Sequence, residues 1–304
     1  MNRTLHNRCG VRQHEVRSVL GHEFELHVSL PATYDEGAQS YPVLYVLDSF
    51  IYFGIASDLA RVYGMGNFAT RSKPPGLKLP SELIVVGIGY PGERPVEMTR
   101  DLLKRRMFDY TSLAHPTGEG ERLRSVTLAD HPNGVPYGGA AEFFSLLKDV
   151  AVPLIDRSYR TSAERVLYGS SSGGHFAAYS LLRKDSPFSQ YIIGSPAIYL
   201  CGEDLMEREA AYAAENKDLA AKVFLSFGNR EWDEYAFPAV AGGTTRFGEK
   251  LVLRGYPSLR LRTQVIDRAS HIEGCVASML FGLSTLTEWG LSEARIASAE
   301  LPER

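Results

Sequence analysis

The chain has few cysteines, no basic excess and no long apolar run, and each lack closes off a class of protein. Cys9, Cys201 and Cys275 lie 192 and 74 residues apart, so no Cys-x-x-Cys spacing for zinc or redox chemistry exists and the three read as ordinary buried thiols. Lys plus Arg number 33 against 36 Asp plus Glu, and a net charge of −3 supplies no positive field for nucleic acid or anionic lipid. No stretch approaches the roughly 18 apolar residues of a membrane span. The first nine residues, Met-Asn-Arg-Thr-Leu-His-Asn-Arg-Cys, are too polar for a secretory signal. The expectation is a cytoplasmic protein without nucleic-acid or membrane partners. Assembly into a homo-oligomer is left open.

What is present points to an α/β fold. At 304 residues, 44% of them hydrophobic, the chain is long for one domain but within the range of α/β sheets, so a single domain over residues 1–304 is expected. Phe24, Leu26, Val28 and Leu30 alternate with polar neighbours after a Gly21-His22 turn, which predicts an antiparallel strand with one wet face. Further on, short continuous apolar runs take over at 43–47, 83–89, 166–168, 191–193 and 223–227, the pattern of strands covered on both faces. Helical periodicity over 140–159 and 176–183 separates some of them, which implies crossovers and a mostly parallel, twisted sheet flanked by helices, with antiparallel strands at its N-terminal edge. A last strand is predicted at 260–266, followed by an amphipathic stretch over 272–289. The segment at about 93–139 is rich in Arg, Asp, Gly and Pro and reads as a long irregular loop.

Between the strand at 166–168 and the helix that follows stands Gly169-Ser170-Ser171-Ser172-Gly173-Gly174. Gly-x-Ser-x-Gly in strand–turn–helix context places a serine on a tight turn, its hydroxyl exposed at the strand's carboxyl end. The next residue's N–H points, with the helix amino terminus, at a developing oxyanion. Ser171 is thus the candidate nucleophile and Ser172 N–H a candidate oxyanion donor. A serine hydroxyl needs a base. On a doubly wound sheet the partners follow in the order Ser, acid, His, and the only histidine after His175 is His271, five residues past the last predicted strand. The orienting acid is expected on the loop after 223–227. Glu231, nearer the strand end and following a glycine, is preferred over Asp233, and Asp267 is a third candidate. The second oxyanion donor is expected after the third strand, at Phe50 N–H.

These residues resemble the putative serine esterases of the α/β-hydrolase fold, a family that includes esterase D, enterochelin-type siderophore esterases and mycolyltransferases of the antigen 85 kind. The resemblance spans about 16–289. It rests on Tyr41-Pro-Val-Leu-Tyr-Val-Leu-Asp48, on Arg106-Met-Phe-Asp109-Tyr-Thr111, on Glu142 through Thr161 and on Gly169–Gly174. It implies an α/β-hydrolase fold, Ser171 as nucleophile, His271 as base, Ser172 and Phe50 N–H as the oxyanion hole, and a small-molecule carboxylic ester as substrate. An acyltransferase using the same acyl-enzyme and a non-catalytic binding protein are the alternatives. Two positions depart from the family pattern: Ser49 stands where Gly is usual, and Ser112 replaces a proline. No cofactor or metal is implied, since Gly87-Ile-Gly89 lacks the third glycine of a dinucleotide turn. Tyr52, Phe53, Tyr90, Pro91, Tyr199 and Trp232 are candidate pocket residues, with plain packing as the alternative. Arg61, Arg105 and Arg106 read as a solvated face or as contacts for an acidic substrate.

Overall fold

An apolar side chain at every position of a strand demands cover on both faces, and the sheet supplies it. The computed structural model describes residues 10–69, 82–92, 100–114, 137–234 and 237–299. Eight strands, β1 (Arg12–Arg17), β2 (Glu23–Ser29), β3 (Tyr41–Val46), β4 (Ile84–Gly89), β5 (Thr161–Ser170), β6 (Gln190–Gly194), β7 (Lys222–Gly228) and β8 (Arg260–Ile266), form one sheet in the order β1-β2-β4-β3-β5-β6-β7-β8. β1 pairs antiparallel with β2, and β2 with β4; every later pairing is parallel. The antiparallel N-terminal edge and the parallel body match the sequence reading, and β8 forms the opposite edge. Cys9 lies outside the described residues; Cys201 and Cys275 are buried free thiols.

The helices are α1 (Ser49–Ala69), α2 (Arg100–Tyr110), α3 (Ala140–Ser145), α4 (Val152–Ser158) after a π-helical stretch (Leu146–Ala151), α5 (Ser172–Leu181), α6 (Asp204–Glu215), α7 (Pro238–Arg254) and α8 (His271–Ala299). β3 shows how they share the sheet. Val43, Tyr45 and Leu47 point into one core with Phe143, Phe176, Leu205 and Phe247, whereas Leu44 and Val46 point into the other with Tyr52, Ala56, Met279 and Trp289. That alternation is the period of two inherent in a strand, used on both faces. Among the described residues no helix is long and apolar enough to cross a membrane.

One expectation is corrected. The stretch read as irregular contains α2, and the rest of it is described only at 111–114 and 137–139. The helix lacks an apolar stripe because its inner face is partly ionic: Asp109 is buried beside Met107 and Tyr110, and the Arg106 side chain is only 14% exposed.

Asp109 has a measurable consequence. Tyr90 Oη donates to its Oδ2 at 2.8 Å. Burial nevertheless pushes the carboxyl up to about 7, against the opposing pull of that hydrogen bond and of Arg105. An unfolded Asp titrates near about 3.9. Between roughly pH 4 and 7 the folded chain therefore holds the extra proton, and stability falls as pH rises through that window before levelling off. Asp109→Asn keeps an acceptor for Tyr90 and removes the slope. Urea unfolding should show the variant more stable than the parent by a few kcal/mol at pH 8, with little difference near pH 4; equal differences at both pH values would refute this.

Candidate active site

In a parallel sheet all the strand ends that precede helices lie on one edge, and the candidate residues come from that edge. β3 and β5 are neighbours, so Asp48, just past one, and Ser171, just past the other, start helices α1 and α5 side by side. β6, β7 and β8 follow in order and deliver Ser195, Glu231 and His271.

Ser171 sits at φ 57°, ψ −121°, a conformation that L-residues rarely adopt and that is kept where function requires it. Its N–H donates to Gly194 O at 3.1 Å, and its carbonyl accepts from Ala197 N–H at 2.9 Å and His175 N–H at 3.0 Å, which fixes the turn from both sides. A side chain at 169 would put Cβ 2.2 Å from Gly173 O, so the approach of strand and helix tolerates only glycine there.

His271 Nε2 lies 3.1 Å from Ser171 Oγ across 100 residues of sequence. The histidine opens α8, where Glu273 Oε2 accepts the Ser270 N–H at 3.0 Å and satisfies one end-of-helix donor. Its own N–H donates to Glu234 Oε2 at 3.1 Å, and its imidazole stacks on Phe237 with ring centroids 3.9 Å apart and 10° between planes. It is therefore held in backbone and in ring orientation.

Of the three acid candidates, the structure brings only Glu231 to the histidine. Its carboxylate is fully buried, with Oε1 3.4 Å from His271 Nδ1. The same oxygen accepts from Ser195 Oγ at 2.6 Å and, at the long limit of a hydrogen bond, from Gly228 N–H at 3.4 Å. Asp267 instead accepts from Asn229 Nδ2 at 2.8 Å, and Asp233 is exposed. Ser195, itself at φ 42°, is a member of this cluster that the sequence reading missed.

Ser172 and Phe50 both lie in the first turn of their helices, where N–H groups have no intrahelical acceptor. The replacement of Gly by Ser at 49 is harmless because the positive φ falls on Asp48, at 54°, and not on residue 49. Aspartate is among the residues that tolerate that region.

Arg106 meets Asp48 and not solvent: Nε donates to Oδ1 at 2.7 Å and Nη2 to Oδ2 at 2.9 Å. Arg105 lies over the Tyr90 ring at 4.4 Å, and Arg61 pairs with Asp58 at 2.7 Å. Tyr52 and Tyr90 are core residues, 7% and 3% exposed. Tyr199 and Trp232 line a cavity of about 720 Å³ together with Leu113, Asp204 and Arg246. His175 is buried beneath the turn, its Nδ1 3.1 Å from Ala197 O and its Nε2 3.3 Å from Ser112 Oγ, so the departure at 112 serves as a partner for it. Among the described residues no group of three or more His, Cys, Asp or Glu could hold a metal ion.

The family described as "Putative esterase" matches residues 128–253. The ferri-bacillibactin esterase BesA of Bacillus subtilis is 31% identical over 180 residues, 58% of this chain and 54% of that protein. A siderophore enterobactin esterase of Emericella nidulans is 27% identical over 222 residues, 68% of this chain and 65% of that one. The chain thus spans between half and two thirds of the length of these curated relatives. The siderophore hydrolase EstA of Aspergillus nidulans superposes with a TM-score of 0.75 at 19% identity, over 95% of this chain and 98% of that one. The resemblance to esterases of the enterochelin kind and the α/β-hydrolase fold are both borne out.

Proposed function

We propose that this chain, aligned by sequence and fold with the esterases, is a serine hydrolase that cleaves a small-molecule carboxylic ester through an acyl-enzyme on Ser171. One observation carries the reading: a serine at φ 57° on a strand-to-helix turn has its hydroxyl 3.1 Å from an imidazole delivered by a different strand end. His271 Nε2 takes the Ser171 proton as Oγ bonds to the ester carbonyl carbon, and the carbonyl π pair moves onto oxygen. Ser172 and Phe50 N–H receive that oxyanion. Collapse breaks the bond to the alcohol oxygen, which leaves with the proton from His271. Water, deprotonated by the same imidazole, then releases the acid and restores Ser171. Glu231 holds the ring and offsets its transient positive charge. Widely spaced free thiols favour a reducing, cytoplasmic setting.

The names of the relatives make a siderophore ester the first substrate to try. The test combines fluorophosphonate labelling of Ser171, p-nitrophenyl esters of graded acyl length, and enterobactin. Labelling together with turnover of at least one ester is expected. An unlabelled, inactive folded protein would favour a binding role, and product esters formed with added alcohols in place of free acid would reassign it as an acyltransferase.

A further inference from the structure

We propose that Arg106 is a positioning residue for the oxyanion hole, clamping the turn that carries Phe50 N–H against the strand that carries Ser171. This rests on the reading above and deepens it.

The observations begin with Asp48, all of whose polar groups are committed. Its N–H donates to Tyr110 Oη at 3.2 Å, its carbonyl accepts from Ile51 and Tyr52 N–H at 2.9 and 3.1 Å, and both carboxylate oxygens accept from Arg106. Its φ of 54° turns the chain out of β3 and into α1, so this residue decides where the first-turn N–H groups of α1 point. The same guanidinium reaches the nucleophile strand, with Nη2 3.4 Å from Ser170 O. On the far side, a Cβ at position 173 would come within 3.2 Å of Asp48 Oδ2, so the carboxylate packs against the first turn of α5, where Ser172 N–H lies. One fork-shaped cation therefore ties together the two turns whose N–H groups must converge on a single oxygen. A planar, bidentate donor fixes direction as well as distance, which a point charge cannot do.

Charge gives a second reason for an arginine here. The Asp48 carboxylate is fully buried at the edge where negative charge develops in the transition state. Left unpaired it would oppose that charge; paired, it serves only as a strut.

The test uses Arg106→Lys, which keeps the charge and loses the fork, and the double variant Asp48→Asn/Arg106→Gln, which removes the clamp without stranding a buried ion. With the best p-nitrophenyl ester, kcat is expected to fall about tenfold in the first and about 100-fold in the second, the latter being the size of one lost oxyanion donor, with KM within threefold of the parent. Affinity for a trifluoromethyl ketone bearing the same acyl chain, whose hemiketal oxygen occupies the hole, should fall by the same factor as kcat/KM. Affinity for the product alcohol, which places no oxygen in the hole, should hold. Unchanged kcat in whichever variant folds, or equal losses of ketone and alcohol binding, would overturn the assignment. Absence of turnover and labelling in the parent protein would instead defeat the hydrolase reading on which it stands.

Discussion

Ser171→Ala should lower kcat for ester cleavage by about 10⁴–10⁶, abolish fluorophosphonate labelling and leave the far-UV spectrum and melting temperature close to the parent's. The expected size follows from the loss of the covalent route, which in hydrolases of this mechanism costs about that much even when binding and oxyanion donors survive. Folding should be spared because Ser171 Oγ contacts His271 at the surface of the site, whereas the turn is fixed by backbone bonds to Gly194, Ala197 and His175 that an alanine keeps. The positive φ at 171 strains alanine much as it strains serine, so no gain in stability is expected from its removal. His271→Ala should cost a similar factor. The double variant should lose little beyond either single one, since nucleophile and base act as a unit. Pre-steady-state traces would check the same point: a burst of p-nitrophenol in the parent and none in the variants. Turnover above about 1% in Ser171→Ala would put the nucleophile elsewhere.

How far the sequence could be read depended on whether a residue's neighbours in space were also its neighbours in the chain. Runs such as Ile84–Gly89 and Lys222–Gly228 are recognisable because burial on both faces forces apolar residues at successive positions, a local constraint. The turn at 169–174 is equally local, and β8 placed His271 because a loop beyond the last strand has few places to go. α2 failed the same reading for the opposite reason. Its buried residues include Asp109 and the largely buried Arg106, whose partners Tyr90 and Asp48 are 19 and 58 positions away, so a helix that is amphipathic in space is not amphipathic by residue type. Ser195 carried no signal at all. A serine after a strand end acquires meaning only when β6 and β7 lie side by side and set its hydroxyl 2.6 Å from Glu231. The same neighbour relation separates the acid candidates: position along the loop could only rank Glu231 above Asp233 and Asp267.

Glu231→Gln is the substitution that tests that ranking, and it should reduce kcat by about 10³–10⁴ with KM little changed. Two physical effects converge. The imidazolium formed as His271 takes the Ser171 proton loses a buried counter-charge 3.4 Å from Nδ1, so the transition state rises in energy while the neutral ground state does not. In addition, Ser195 Oγ and Gly228 N–H both donate toward Oε1, and the new amide must present its oxygen to them or leave them unpaired. If the amide nitrogen turns toward the ring, Nδ1 becomes an acceptor and Nε2 carries the proton, which is the tautomer unable to take one from Ser171. Global stability should be nearly unaffected, because a buried charge is replaced by a neutral group of the same shape. Asp233→Asn and Asp267→Asn serve as the comparison. One side chain is exposed and the other pairs with Asn229, and neither should change kcat more than about twofold. A loss of the same size in Asp267→Asn with Glu231→Gln near parental would transfer the role to Asp267.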